Sequence, residues 1–516
     1  MKKGGSKKLK SPFIESETPF YLNGNTFVEN QKDIIMEQII FWVFVAYTML
    51  LFGITFITSR KADSGSFFAG NKKSPWFVVA YGAIGASLSG VTFMSVPGWV
   101  EQRQFTYMLT VLGYLLGYVL IAFVLLPLYY RLNLISIYEY LKQRFGTSSH
   151  KTGSFFFLLS RTLGASLRMF IVIWVLYEFV FSQWGMSFPL TVLLFLALIL
   201  LFTMRGGVKT IVWTDTLQTT CMLAALVISF VLVGRQMGLS SGELLKDITA
   251  SDYFTFVNTD SSSRLCWWKQ LLGGMFITIS MTGLDQEMMQ KNLSCRNLRS
   301  AQKNMLSFAI VLPIVNFLFL CLGSALYIFA KKEGITASGD ELFPYIALNS
   351  LTPFAAVVFI IGLISALFPS SDGALTSLTT SFCIDQIGLE EKKDWSEKRK
   401  KRVRHIVHSC FALLFVGIII FYSEHRNKYL IDTLYQIASI TYGPLLGLFA
   451  FGIFTKRVVR DRAVPYVCLA SPVICFVLNA NSQAWFGYSF DFELLVLNAL
   501  MTFAGLLAVS RKAAKV

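Results

Sequence analysis

The chain has 516 residues, of which 54% are hydrophobic and only 15% are charged, and its formal net charge is +16. A soluble protein would carry about 25% charged residues, so these numbers exclude a soluble multidomain protein and an intrinsically disordered chain. The hydrophobic surplus predicts a protein whose main solvent is the lipid bilayer, so membrane lipid is its expected surrounding partner.

Apolar windows of about 20 residues that are bounded by charges or turn residues predict thirteen transmembrane helices. In chain order, these helices cover residues 34–58, 76–100, 106–129, 154–182, 187–204, 210–234, 268–284, 306–330, 354–384, 406–422, 430–455, 464–480 and 491–509. The fold class that we expect is therefore all-α, a polytopic membrane protein with a polar segment at 1–33 and a short tail at 510–516.

The basic residues of the predicted loops lie mostly on one side of the membrane. Loops on that side, together with the C-terminal tail, hold 29 lysines and arginines, against 9 in the loops of the other side. The positive-inside rule assigns the rich side to the cytoplasm. We therefore expect a protein of the cell (inner) membrane with segment 1–33 outside and tail 510–516 in the cytoplasm. The positive charge then requires no nucleic acid partner.

Residues that would point to an enzyme are scattered. The eight cysteines form no CxxC pair, so we interpret them as apolar fillers without a zinc site or a disulfide framework. His150, His405, His408 and His425 fall in or beside predicted loops, which argues against a buried histidine proton relay. The sequence has no GxxxxGK[ST] motif, and we expect neither an enzyme nor an ATP-driven pump.

Two of the predicted spans are poor continuous helices. Span 76–100 carries four glycines and a proline, and span 268–284 carries three glycines. Because they are the second and the seventh spans, they fit two inverted five-helix repeats at 76–234 and 268–455 that each begin with a broken helix. Such a pair of broken helices indicates a substrate site at the bilayer midplane. The alternative is that the glycines serve only close helix packing.

Six segments resemble, in order, the motifs of the sodium:solute symporter family. They are SGSFFAGNKKSPW at 64–76, SIYEYLKQRFG at 136–146, RGGVKTIVWTDTLQ at 205–218, TGLDQEMMQKNLSCRN at 282–297, SSDGALTSLTTSFCIDQI at 370–387 and YGPLLGLFAFGI at 442–453. In motif the chain is most similar to the sialic acid, proline and sugar carriers of this family. The resemblance implies the leucine-transporter-type fold, with one extra helix (34–58) before the core and two (464–509) after it.

The resemblance also implies sodium as the coupling ion. Sodium prefers oxygen ligands, and an interrupted helix offers free carbonyl groups. The family pattern places the sodium ligands of this chain at Gly85, Leu88, Ala366 and Ser370. Where the family usually has a hydroxyl, this chain has Pro369, so that one ligand is missing or Ser371 takes its place. The alternative is that the two serines only pack a helix interface.

Two aspartates fall inside predicted spans, where a carboxylate is costly and is a functional candidate. The resemblance aligns Asp215 with an acidic ligand of a second sodium site in some family members, and it aligns Asp372 with a hydroxyl of that site. We expect Asp215 and Asp372 to share a cation or a proton. Alternatively, one of them pairs with a nearby arginine or lysine, or Asp215 caps a helix at the interface.

The fourth predicted span carries two arginines that are seven residues apart, Arg161 and Arg168, and they share one helix face. Arginines this deep should face a cavity or a counter-ion. The resemblance aligns Arg168 with the arginine that binds the substrate carboxylate in sialic acid carriers. The alternative is a structural ion pair for both arginines, which we expect more of Arg161. Further substrate contacts are expected at Ser87, Ser89, Thr92 and Tyr107.

These features predict sodium-coupled symport of a small organic solute into the cell by alternating access. An organic acid or a sialic acid-like sugar acid is the preferred solute class, and neutral sugars, polyols, amino acids and vitamins stay open. One alternative is a proton-coupled carrier of the same fold. Another is a transporter-like receptor or channel, which the lack of a signalling domain and of a pore-lining charge ring disfavours. No obligate protein partner is indicated.

Overall fold

The computed structural model describes residues 26–59, 76–425, 429–488 and 490–512. Within these ranges, the side chains of 26–37, 57–59, 86 and 205–213 are outside the description. Most of the predicted polar segment 1–33 and the last residues of the predicted tail therefore lie outside the described residues.

Helices account for nearly all of the described structure. The helices of the first half are α1 (Thr26–Ser59), α2 (Trp76–Ser87), α3 (Gly90–Arg103), α4 (Tyr107–Leu120), α5 (Leu126–Arg131), α6 (Glu139–Arg144), α7 (Thr147–Leu176), α8 (Phe188–Gln236) and α9 (Ser241–Ala250). Those of the second half are α10 (Trp267–Thr278), α11 (Gln286–Leu293), α12 (Leu298–Glu333), α13 (Leu342–Tyr345), α14 (Pro353–Ser381), α15 (Glu397–Glu424), α16 (Leu430–Thr441), α17 (Gly443–Phe454), α18 (Val464–Phe486) and α19 (Glu493–Ala508). The predicted all-α fold class is confirmed.

Many of these helices are apolar enough to cross a bilayer. Among the described residues, eight helical stretches qualify by length and hydropathy, or nine if α16 and α17, which meet at a bend of 44°, count as one further span. The count of thirteen spans and their arrangement in two inverted repeats stay predictions.

Helix α8 differs from the sequence-based expectation. The sequence predicts two spans, 187–204 and 210–234, that are separated by a loop around Arg205–Lys209, whereas the helical backbone runs without a break from Phe188 to Gln236. The charged and glycine-rich composition of the stretch RGGVK predicts a loop. It contains no proline, so its backbone N–H groups can all continue the helical hydrogen bonds.

The two interruptions that the sequence predicts are present. Helix α2 ends at Ser87, Ser89 has an extended backbone (φ −78°, ψ 178°), and α3 begins at Gly90. In the second case, α10 ends at Thr278, a π-helical turn covers Ile279–Gly283, and α11 begins at Gln286. Both breaks leave backbone polar groups without helical partners inside the membrane region.

Glycines of the broken helices also permit close packing, as the alternative interpretation expected. A Cβ at Gly274 of α10 would overlap the carbonyl oxygen of Thr110 in α4. Likewise, a Cβ at Gly85 of α2 would overlap the hydroxyl of Thr219 in α8. The same residue type therefore serves helix contact and helix interruption in these spans.

The predicted tail at 510–516 begins in an ordered element. Strand β1 (Val458–Val459), between α17 and α18, pairs antiparallel with β2 (Ser510–Arg511) after α19. In the same linker, the Asp461 carboxylate accepts hydrogen bonds from the N–H groups of Ser148 and Ser149, each at 2.8 Å. The linker therefore caps the first turn of α7.

Candidate functional site

A central cavity of about 100 Å³ lies beside the first helix interruption. Helices α3, α4, α7, α10, α12 and α16 contribute to its walls together with the break between α2 and α3. All five predicted substrate residues line this cavity: Ser87, Ser89, Thr92, Tyr107 and Arg168. The structure thus brings together side chains that are up to 81 positions apart in the sequence.

The two arginines of α7 both line the cavity but differ in their partners. The guanidinium of Arg161 forms ion pairs with Glu287 and, at 3.8 Å, with Asp285. Arg168 is only partly buried, and its Nε is inaccessible and has no hydrogen-bond partner. No carboxylate of the described residues lies within ion-pair distance of Arg168, so its charge is available to a bound anion.

A chain of tyrosine hydroxyls lines another part of the cavity wall. The hydroxyl of Tyr114 lies 3.3 Å from that of Tyr107 and 2.7 Å from that of Tyr435. The ring of Trp99 stacks on Tyr435 with 6.0 Å between the centroids. These groups offer hydroxyl donors and acceptors on a largely aromatic surface.

A buried ion-pair group lies beyond these aromatic rings, at the end of α3. Arg103 lies over the ring of Trp99 at 4.2 Å, and it pairs with Asp432 at 3.1 Å and with Asp491 at 2.8 Å. The sequence predicts Arg103 in a loop, whereas it is the last residue of α3. The Arg103–Asp432 ion pair therefore joins the end of α3 to α16.

The predicted sodium ligands of the first broken helix have free carbonyl groups. The N–H of Leu88 still bonds to the carbonyl of Ile84 at 2.8 Å, and the N–H of Phe93 bonds to that of Ser89 at 3.0 Å. Between these two bonds, no hydrogen bond to the carbonyl oxygens of Gly85 and Leu88 is found among the described residues. Such carbonyl groups suit a hard cation.

The predicted ligands of the ninth span lie in α14, which packs against α2 and α3. The hydroxyl of Ser370 donates to the carbonyl of Leu367 at 3.0 Å, and that of Ser371 donates to the same carbonyl at 2.7 Å. Because their protons are used in this way, both hydroxyl oxygens keep lone pairs for another partner. Pro369 lies inside the continuous helix and has no N–H for the carbonyl of Ser365.

Asp215 and Asp372 are both buried, and Asp215 has a basic partner. The ammonium of Lys291 in α11 lies 2.9 Å from Oδ2 of Asp215 and 3.7 Å from Oε1 of Glu287. Pairing with a lysine was one of the alternatives that the sequence left open. The alternative of a helix cap does not fit, because Asp215 lies within the continuous helix α8.

Three charged residues of the site, Asp285, Glu287 and Lys291, are not among the candidates that the sequence predicts. The composition of 285–305 predicts a cytoplasmic loop with Lys291 among its cations, which is wrong, since Lys291 lies in α11 and is 4% exposed. Asp285 caps α11 by accepting the N–H groups of Glu287 and Met288. The signal in the sequence was the Glu287–Lys291 pair at i, i+4, directly after the second broken helix.

The placement of His150 and His408 in or beside loops is also wrong. His150 is 5% exposed and lies 2.8 Å from Asp385, and His408 is 2% exposed and lies between the hydroxyls of Thr203 and Thr379. The reason is that α7 and α15 begin 7 and 9 residues before the predicted spans 154–182 and 406–422. Both histidines therefore lie within helices.

Membrane-crossing helices around a central cavity, with interrupted helices beside it, define the chain as a secondary transporter. Residues 67–465 match the model of the Sodium:solute symporter family, and the chain belongs to that family. It is therefore a sodium-coupled symporter of a small organic solute and not an enzyme.

Individual proteins show the same relationship. The chain is 22% identical over 457 residues to the sodium/sialic acid symporter NanT of Aliivibrio fischeri, covering 86% of this chain and 88% of the relative. It is 23% identical over 433 residues to the sodium/sialic acid symporter SiaT of Proteus mirabilis, covering 81% and 84%. The solved structure of a substrate-bound, outward-open sodium-coupled sialic acid symporter shares the fold, with a TM-score of 0.77, 19% identity, and coverage of 92% and 99%.

Proposed function

We propose that the solute is an organic anion, taken up with sodium by alternating access, whose carboxylate binds Arg168. The observation that carries the proposal is the guanidinium of Arg168, which borders the cavity and lacks a described carboxylate partner, while Arg161 on the same helix face has two. An unpaired charge at this depth is costly. A bound carboxylate would compensate it with two parallel hydrogen bonds.

The remaining polar groups of the cavity fit a solute with several hydroxyl or amide groups. Ser87, Ser89, Thr92 and Tyr107 supply hydroxyls that can donate and accept hydrogen bonds. A sialic acid-like sugar acid has this combination, and two of the relatives are sialic acid symporters. The cavity of about 100 Å³ is smaller than ligand pockets of roughly 300–1,000 Å³, so binding a sugar acid would require it to open.

For sodium, we propose a site that uses the carbonyl oxygens of Gly85, Leu88 and Ala366 and the hydroxyl of Ser370. Support comes from the two carbonyls at the helix break, which have no described hydrogen-bond donor. Pro369 cannot contribute a hydroxyl, but it leaves the carbonyl of Ser365 without its helical N–H. That carbonyl, or the hydroxyl of Ser371, would complete the coordination of sodium.

We further propose that the chain is a cell-membrane protein with its N-terminus outside and its C-terminus in the cytoplasm. The support is the surplus of lysine and arginine in one set of loops. Burial removes two cations from each set, Lys291 and Arg404 from the rich one and Arg103 and Lys269 from the other, and leaves this surplus unchanged. Reaction of single engineered cysteines in the loops with an impermeant thiol reagent, on whole cells, tests this orientation.

The proposed solute class is tested with purified full-length protein and matched pairs of solutes. Each pair combines a carboxylate with its neutral analogue: N-acetylneuraminic acid with N-acetylmannosamine, lactate with lactamide, and pantothenate with panthenol. We expect at least one carboxylate to raise the melting temperature in sodium but not in potassium, without an effect of its neutral analogue. Stabilisation by a neutral member, or by none of the carboxylates, would contradict the proposal.

A further inference from the structure

Six buried charged side chains from four helical elements meet beside α11, next to the cavity site proposed for the solute carboxylate, and one of them, Arg161, also borders that cavity. We call this group the charge cluster. Its members are Asp215 of α8, Asp285, Glu287 and Lys291 at α11, Arg161 of α7 and Asp372 of α14. Each is at most 5% exposed, and the group contains four carboxylates and two cations.

The two cations of the charge cluster pair with different sets of carboxylates. Arg161 pairs with Glu287 and Asp285, and the hydroxyl of Tyr442 also donates to Asp285 at 2.8 Å. Lys291 bonds to Asp215 at 2.9 Å and lies 3.7 Å from the second oxygen of Glu287. Arg161 is thus held by α11 alone, whereas Lys291 connects α11 to α8.

Asp372 has no ion-pair partner among the described residues. One of its oxygens accepts the N–H of Gly373 at 2.6 Å, and the other is inaccessible and has no hydrogen-bond partner. The second oxygen of Asp215 is equally inaccessible and unpartnered. A Cβ at Gly373 would overlap the carboxylate of Glu287, so α14 approaches α11 closely at this point. Asp372, the neighbour of Gly373, therefore lies near Glu287, which is 3.7 Å from the ammonium of Lys291.

A buried pair of carboxylates requires a cation or a proton, because an uncompensated charge in the interior is strongly destabilising. No group of three or more histidine, cysteine, aspartate or glutamate side chains in the described residues is arranged to hold a metal ion. The ammonium of Lys291 has three donors, and one of them is used by Asp215. It is the positive group that this chain itself supplies next to Asp215, and α14 brings Asp372 to the same part of the charge cluster.

We propose that Lys291 is a built-in cation that takes the place of a coupling sodium between Asp215 and Asp372. The carrier then binds its sodium only at the site proposed around Gly85 and Leu88. Removing the positive charge of Lys291 would leave Asp215 and Asp372 as a vacant anionic pair that binds an additional sodium ion. The inference rests on the proposed function in that sodium is the coupling ion.

The test is the number of ²²Na⁺ ions bound at saturation by purified full-length protein without solute. We expect Lys291→Met to bind one more sodium ion per protein than the wild type, and Lys291→Arg to bind the same number as the wild type. In the double variant Lys291→Met/Asp215→Asn, the additional ion should be lost. An unchanged number in Lys291→Met, or an additional ion that persists in the double variant, would overturn the proposal.

Asp215→Asn alone tests the same idea if Lys291→Met does not fold. Since Asp215 holds the lysine and not a sodium ion, this variant should bind as much ²²Na⁺ as the wild type, and a lower number would overturn the proposal. If the sodium site proposed around Gly85 does not exist, the measurement gives a different result. The wild type would then bind no sodium, while Lys291→Met would still gain one ion.

Discussion

Arg161 and Arg168 illustrate how neighbouring identical residues acquire different roles. They are two helical turns apart on one face of α7 and border the same cavity, but only Arg161 has carboxylates of the described chain as partners. Burying a paired guanidinium fixes α7 against α11. Leaving the other unpaired creates a site of defined charge and geometry at the cavity.

Replacing Arg168 tests its role as the carboxylate ligand. Arg168→Gln should weaken binding of the stabilising carboxylate about 10- to 150-fold, because a hydrogen bond to a charged group contributes about 1.5–3 kcal/mol. Titration calorimetry measures the change. The same substitution at the exposed Arg131 of α5 serves as the control and should leave affinity unchanged. Equal affinities in wild type and Arg168→Gln would refute this role.

Ser370 offers an independent test of the sodium site. Ser370→Ala removes one proposed oxygen ligand and should raise the sodium concentration for half-maximal thermal stabilisation about tenfold, a loss of roughly 1.4 kcal/mol. Ser377, two turns further along α14, is also buried and donates to a helix carbonyl at 2.9 Å. Ser377→Ala should therefore leave the sodium response as it is. Identical responses in both variants would remove Ser370 from the site.

At the scale of elements, the interrupted helix α2–α3 connects the cavity to the linker after α12. The far half of α3 packs directly on this linker. The hydroxyl of Tyr327 donates to the carbonyl of Gly98 at 2.6 Å and accepts the N–H of Gly339 at 3.0 Å. Movement of α3 in a transport cycle must therefore carry the linker with it or break this contact.

Gly98 is required for the contact between α3 and the linker. A Cβ at this position would overlap the carbonyl oxygen of Gly339, so Gly98→Ala should destabilise the protein by about 1–3 kcal/mol through overpacking. Gly417 of α15 has open space around it, and Gly417→Ala should instead stabilise slightly. The melting temperatures in detergent measure both effects. An unchanged melting temperature in Gly98→Ala would show that the linker moves to accommodate the added Cβ.

Asp340 of the same linker gives a pH-dependent prediction. Its carboxylate accepts the N–H of Leu430 at 2.8 Å, and burial raises its pKa to about 7. In the unfolded chain this group ionises near pH 4. The folded state therefore binds the proton more tightly, and the stability from this group falls as the pH rises from about 4 to about 7 and is constant above that.

Asp340→Asn removes this titration, since an amide can accept the same N–H without ionising. The melting temperature of Asp340→Asn relative to the wild type should rise between about pH 5 and pH 7 and then remain level. Asp252 is exposed, and Asp252→Asn, measured at the same pH values, is the surface control. A difference between Asp340→Asn and the wild type that is independent of pH would contradict the raised pKa.

At the scale of the whole molecule, short-range sequence patterns predicted the all-α fold class and the main features of its helices. Glycine and proline located both helix breaks, and helical spacing placed Arg161 and Arg168 on one face. The predictions that failed concern charged residues whose partners are far apart in the chain. Lys291 pairs with Asp215 across 76 positions, and Arg161 pairs with Glu287 across 126. A charged segment that is buried by such pairs has the same composition as a solvated loop, so Lys291 and His150 were assigned to loops.

Transport in proteoliposomes tests whether sodium drives the uptake of an organic anion. The reconstituted full-length protein is given the radiolabelled carboxylate that stabilises it, with an inward gradient of sodium, of potassium or of protons. We predict accumulation above the external concentration only with the sodium gradient, and its loss in Arg168→Gln but not in Arg131→Gln. Equal accumulation with a potassium or proton gradient would contradict sodium coupling, and full accumulation by Arg168→Gln would contradict the anion site.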